Sequence, residues 1–226
     1  MRRLLLAGWF AMLLLLMLWF ALPAATAAEN NTEVAPEAAP EYAKPDKRMF
    51  GVLPNYRSVD SSIPFYSLTP RQKLSIATHD SFDWPTFLVT GVYASRGGFN
   101  GYPRRYTTSL GDQMIGNMMT EGFLPVLMHD DPRFFRSGEG AKGARLKSAL
   151  RQILITRSDS GSWRFNAPEW VGNSIAVGIG NAYYTDDPRT IGSNLQRLGM
   201  QVGMDTLSNV MKEFWPDIKQ RFLPHR

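Results

Sequence analysis

Apolar residues run almost unbroken from Leu4 to Pro23, give way to a stretch rich in Ala, Pro and Glu, and return from Met49 in short periodic groups punctuated by Gly, Pro and Asp. The periodic groups predict helices. Thr69-Pro70 opens the first, to about His79, because Thr can cap free N–H groups and Pro is tolerated at the first helical position. Asp83 before Trp84-Pro85 repeats the device and predicts a second helix to roughly Ser95, stopped by Gly97-Gly98. Ile115, Met118, Met119, Gly122 and Val126 fall at three- and four-residue steps. They predict a longer helix from Ser109 or Leu110 to about Met128, its last turn bent by Pro125. A basic helix follows over about 140–157, with Leu146, Leu150, Ile153 and Leu154 expected to face inward. Residues 158–165 read as a turn with one short strand. Ala167-Pro168-Glu169 starts a Gly-rich helix to Tyr184, and Thr190 introduces a last one that runs to Trp215 and resumes after Pro216.

Gly172, Gly178 and Gly180 in one of these helices, and Gly199 and Gly203 in the other, cost about 1 kcal/mol each against Ala in a helix interior. That cost is tolerable where it lets backbones approach, so the two helices are expected to cross near these glycines; the rival reading makes 177–181 a loop. Residues 49–64 carry Phe50, Val52, Leu53 and Tyr56 without a period and read as an ordered strap. The fold class is therefore mainly α: an irregular bundle of five to six helices with an N-terminal strap. A small hairpin near 102–107 and 163–165 is the alternative.

Compartment comes from the start of the chain. Arg2 and Arg3, the apolar run and Ala25-Thr26-Ala27 form a secretory signal over 1–28, removed after Ala27 or Ala28, with an uncleaved inner-membrane anchor as the competing reading. Residues 29–48 read as a Pro/Ala/Glu-rich tether, and 49–226 as one helical domain. The chain of 226 residues has no cysteine, which excludes disulfides, thiolate metal sites and a lipoprotein anchor. Export into the periplasm or cell envelope of a Gram-negative bacterium is the expectation. The net charge of +5 is unevenly placed: Arg133, Arg136, Lys142, Arg145, Lys147, Arg151, Arg157 and Arg164 crowd one segment. Such a band suits an anionic envelope lipid, the cell wall or another envelope protein, and the compartment argues against nucleic acid.

His129-Asp130-Asp131-Pro132-Arg133 is the most chemically suggestive run, with His79-Asp80 and Asp83 as a second group. Brought together, two imidazoles and their aspartates could serve a metal-dependent hydrolase. No HExxH or other fixed ligand spacing is present, and the bland reading is stronger: Asp131-Pro132 turns the chain, Asp83 caps a helix, His129 meets a helix dipole. No metal or cofactor is expected. Walker, GxGxxG, GxSxG and SxxK signatures are absent. Polar residues recur at four-residue steps: Gln113, Asn117 and Glu121; Asp205, Asn209 and Glu213; with Asn173 and Asn181 eight apart. Emergence of these faces into water is the commoner outcome, and a buried network that could hold an ion or polar ligand is the alternative.

Phe50-Gly51-Val52-Leu53-Pro54-Asn55-Tyr56-Arg57, Asp80-Ser81-Phe82-Asp83, His129 to Phe135, Asn181-Ala182-Tyr183-Tyr184 and Lys212 to Asp217 together resemble a family of exported bacterial proteins with no assigned activity. The resemblance covers nearly the whole mature domain and implies an envelope location and a helical domain, without substrate or catalytic residue. The leading expectation is a non-enzymatic envelope module that binds an anionic surface or a partner through Arg133, Arg136, Lys142, Arg145 and Arg151, with Asp205 and Asn209 as further binding candidates. The metal hydrolase and a lipid-binding carrier are the alternatives.

Overall fold

The computed structural model describes residues 48–49, 53–95, 98–183 and 190–222. The expected signal over 1–28 and the expected tether over 29–48, apart from Arg48, lie outside the described residues.

The Thr69-Pro70 signal makes helix α1 (Pro70–Phe82). Thr69 Oγ1 accepts the N–H of Gln72, and Gln72 Oε1 accepts the N–H of Thr69, at 3.3 and 2.8 Å. This reciprocal box satisfies donors that a helix start would otherwise waste. Only Asp83 separates α1 from α2 (Trp84–Ser95), and its carboxylate accepts the Trp84 N–H at 3.0 Å. Helix α3 (Tyr102–Asn117) begins earlier than its apolar period announces, straight after Gly101 at φ 75°, so 102–107 is helical and not part of a hairpin. It runs on through a π-helical segment (Met118–Phe123) into α4 (Leu124–Met128). Pro125 explains the widening. It lacks an N–H, and its ring crowds the carbonyl four residues back, so the ladder shifts by one residue instead of breaking.

The expected basic helix is shorter than its sequence suggests: α5 (Lys142–Arg151) ends in a turn, and the chain returns as β5 (Ile155–Arg157), paired antiparallel with β6 (Trp163–Phe165). α6 (Ala167–Tyr183) is helical through 177–181, and α7 (Ile191–Phe222) passes Pro216 without interruption. Counting α3 to α4 as one rod, six helical rods are described, an irregular bundle. The strap is short strands: β1 (Arg48–Met49) and β2 (Leu53–Pro54) are antiparallel, and β3 (Ser58–Asp60) lies parallel to β4 (Phe134–Arg136). Arg48 ties the strap down with both Nη atoms at 2.8 Å from the Asp83 carboxylate.

The π segment is the hub, with α1 and α6 both packed on it. Each contact is made at a glycine. A Cβ on Gly122 would come within 3.1 Å of Ala77 Cβ on α1, and one on Gly172 of α6 within 2.8 Å of Thr120 Cγ2 and 3.1 Å of the Thr120 nitrogen. Close approach at glycine is thus realised, but not at the expected crossing. α6 and α7 do pack together. Yet Gly178, Gly199 and Gly203 have no heavy atom of a neighbour within 4 Å of where a Cβ would stand.

The interior departs furthest from the sequence reading. Buried apolar side chains include Ile115, Leu124, Phe134, Phe135, Ile153, Val177 and Trp215, and among them lie buried Lys73, Asp131, Arg133, Arg145, Glu121, Glu169, Lys212 and Glu213. On α5 the expected orientation is reversed: Arg145 and Ala149 are buried, whereas Leu146, Leu150 and, in the following turn, Leu154 are exposed. Ile153 does face inward.

Candidate functional site

Gln113 at the start of the α3 row is exposed and Asn181 half-buried, but the rest of the polar rows on α3, α6 and α7 turn inward. Asn117, Glu121, Asn173, Asn209 and Glu213 are buried, and Asp205 is half-buried. The π segment brings Glu121 inward, α1 contributes Asp80, α6 Glu169 and Asn173, α7 Asp205 and Lys212, and the strap inserts Arg57 among them. Arg57 Nη1 lies 3.1 Å from Glu121 Oε1, and its Nε lies 3.5 Å from Asp80 Oδ2. The Asn173 amide donates to Glu169 Oε1 at 3.0 Å and reaches Asp205 Oδ2 at 3.4 Å.

Burial perturbs these groups strongly. Desolvation pushes the Glu121 carboxyl well above the usual range; Asp80 pushes it the same way, against the pull of Arg57 and Lys212. Glu169 is raised for the same reason, with Asp205 reinforcing burial. Lys212 is pushed down to about 8 by burial and by Arg57, against its acidic neighbours. Arg57 goes the other way: burial opposes its charge, but Glu121, Asp80, Asp205 and Glu169 hold the proton on it more firmly than usual. Strong perturbation of a charged cluster marks a functional candidate, although structural networks show it too. Beside the cluster a cavity of about 30 Å³ is lined by Arg57, Thr120, Asp131, Arg133, Glu169, Asp205 and Asn209. A water molecule needs roughly 10–15 Å³ by this measure, so a water or two fit, whereas ligand pockets start at roughly 300 Å³. The lipid-carrier alternative draws no support from this cavity.

The two histidine groups have separate partners. His79 is exposed and stacked on Tyr56, with ring centroids 5.2 Å apart, while Asp80 faces Arg57. His129 caps α4 in the left-handed region at φ 56°. Its Nδ1 lies 3.8 Å from Asp159, which Lys73 also holds at 2.6 and 2.7 Å. Lys73 sits six residues before His79, about 9 Å along α1 at 1.5 Å per residue. Asp130 binds Arg164, and Asp131 binds Arg133. Each aspartate is already committed, and among the described residues no three His, Asp or Glu side chains are placed to hold a metal ion. Ser158, Ser160 and Ser162, beside His129 in space, bond one another.

The basic band is likewise not one surface. Arg133 is buried and bound to both Asp131 oxygens, with its guanidinium over Tyr66, 4.2 Å from the ring centroid. Arg145 is buried against Glu213 at 2.9 Å and Asp217 at 2.6 Å. Arg136 is paired with Asp60 at 2.7 Å, and Arg157 packs against Phe135 and Trp163. Lys142, Lys147 and Arg151 remain exposed on α5. Sequence reasoning missed Arg57 and Lys212; the four-residue row ending at Glu121 was the available signal, and it stops short of the strap.

Comparison of the chain with known protein families, with curated proteins and with solved structures finds no match in any of the three.

Proposed function

We propose that this chain is a non-enzymatic, exported envelope module that lies on an anionic lipid surface through the outer face of α5 and the adjoining hairpin. One observation carries the reading: Leu146, Leu150 and Leu154 are exposed at four-residue steps, and Lys142, Lys147 and Arg151 are exposed alongside them. On a helical wheel at 100° per residue Leu146 and Leu150 form one stripe with Lys142 on one side and Lys147 and Arg151 on the other, and Leu154 adds to it from the following turn. Exposed Phe165 follows directly, since its strand partner Ile155 succeeds Leu154. An apolar stripe edged by cations and an aromatic ring is the pattern of a helix lying in a lipid interface, where buried apolar area and attraction to anionic headgroups add. Peripheral contact also agrees with the absence, among the described residues, of any helix long and apolar enough to cross a membrane. The signal sequence and the resemblance to exported proteins support the compartment.

The test is co-sedimentation of the mature chain with vesicles of phosphatidylglycerol and phosphatidylcholine, compared with phosphatidylcholine alone. Binding to the anionic vesicles that weakens with salt is the expected result. Equal recovery in the supernatant with both, at low salt, sinks the reading.

A second surface favours a partner protein. Every exposed residue of α7 from Ile191 to Leu207 is uncharged, including Leu195, Met200 and Met204, and so is every exposed residue of the packed α6. Self-association or capture of an apolar partner there is read by light scattering across a concentration series.

A further inference from the structure

The Asp80 and Glu121 carboxyls leave one another's needs unmet. Arg57 takes one oxygen of each: Glu121 Oε1 at 3.1 Å and Asp80 Oδ2 at 3.5 Å. The remaining oxygens, Asp80 Oδ1 and Glu121 Oε2, are shielded from solvent and have no hydrogen-bond donor. Both residues are more than nine-tenths buried, and their carboxyls lie within hydrogen-bond reach of each other. Two acceptors cannot satisfy one another, and a buried unsatisfied oxygen is costly. One proton between them would satisfy both.

We propose that Asp80 and Glu121 form a proton-binding site: Glu121 is a neutral acid in the folded protein at neutral pH and donates its O–H to Asp80 Oδ1. No bond other than the O–H changes; the proton comes from water and returns to it. The neighbouring acid pair is linked by the Asn173 amide, which donates to Glu169 and reaches Asp205, whereas the Arg57 guanidinium that spans Asp80 and Glu121 leaves one oxygen of each without a donor. The charges agree as well. Facing Glu121 are Arg57 from the strap, Asp80 from α1 and Lys212 from α7, and around Arg57 stand Glu169 of α6 and Asp205 of α7. With all ionised, four carboxylates would confront two cations in one closed interior, and a proton on Glu121 relieves part of that excess.

The sign of the pH dependence follows. A glutamate in the unfolded chain ionises near 4.5. Held neutral in the fold, Glu121 contributes stability that is complete below that pH and is lost as pH rises through its folded value. Glu169 acts in the same direction, while Lys212, pushed down to about 8, adds stability with rising pH only above that value. The window to examine is therefore between about pH 5 and pH 8.

The experiment is carbon NMR of the mature chain labelled at the glutamate side-chain carboxyl, titrated across that window, for the wild type, E121Q, E121A and D80N. The expected result is a glutamate signal that keeps its protonated position at pH 7 and is missing from E121Q, whereas any protonated signal of Glu169 remains there. E121Q, whose amide donates in place of the acid, should fold, with a shallower loss of melting temperature on raising pH than the wild type, and E121A should melt well below it. Should E121Q fail to fold, D80N decides: its amide replaces the shared proton, and the same signal should move to the ionised position. The proposal is overturned if every glutamate of the wild type is ionised at pH 7. It is equally overturned if no protonated signal is lost in E121Q, or if D80N leaves in place the signal that E121Q removes.

Discussion

The inside of the bundle and the outer face of α5 have exchanged the chemistry that each is usually given. Inside, Arg145 reaches Glu213 and Asp217, Arg133 clasps Asp131, and Arg57 and Lys212 stand among four acids. Outside, Leu150 is 44% exposed and Leu154 52%. A charged side chain goes inward only when a partner waits for it, because desolvating an unpaired charge costs several kcal/mol. An apolar row turned outward has the opposite meaning: the chain forgoes burial that would stabilise it, which is how surfaces made for contact are recognised. The two regions thus divide the labour, the paired charges fixing one arrangement of helices and the leucine stripe left free to touch something else.

The sharpest way to break this comparison is Arg145→Ala. It strands Glu213, which is fully buried, without its counter-ion. Removing one partner of a buried pair costs about 3–5 kcal/mol. Chemical denaturation should show that loss; a loss no larger than that of a surface substitution would mean that the interior pairs do not hold the bundle.

Glycines sharpen it next. Gly172→Ala drives a methyl against Thr120 and its backbone at the π segment, and overpacking of this kind costs about 1–3 kcal/mol. Gly203→Ala meets open space on α7 and should raise stability by roughly 0.5–1 kcal/mol through helix propensity. Opposite shifts in melting temperature for the same chemical change are expected; equal shifts would contradict the packing at Gly172. Smallest in stability is Leu150→Glu, expected within about 0.5 kcal/mol of the parent. Its readout is vesicle binding, which should fall sharply while the denaturation midpoint stays put.

Much of the fold could be read from local signals. The Thr69 box, the Asp83 junction and the Ala167-Pro168 start work within three residues of chain, and α1, α2 and α6 begin where they stand. The start of α3 was hidden because Tyr102 to Thr108 lacks an apolar period and the helix opens after Gly101 at positive φ with no capping side chain to announce it. The interior was hidden for a different reason. Leu146, Leu150 and Leu154 form as good an inward stripe as any, and only the location of Glu213, 68 positions beyond Arg145, reverses the helix. Periodicity reports which residues share a face; it is silent on whether that face meets a partner supplied from far along the chain. Among the site residues, Glu121 and Asp205 were legible as members of polar rows. Arg57 was not, since its partners come from α1, the π segment, α6 and α7, and no local spacing encodes that convergence.

The parallel ribbon of β3 and β4 sets an order in time. Asp60 sits beside Arg136, 76 residues later, and the Phe134 N–H is bonded to the Arg57 carbonyl. The β3 part of the strap therefore has no strand to pair with until the chain has been made past β4, whereas Arg48 finds Asp83 much earlier in the chain. Arg57, directly before β3, is held in the acid cluster by that pairing through its carbonyl, and without it the four carboxylates would keep only Lys212 as a cation.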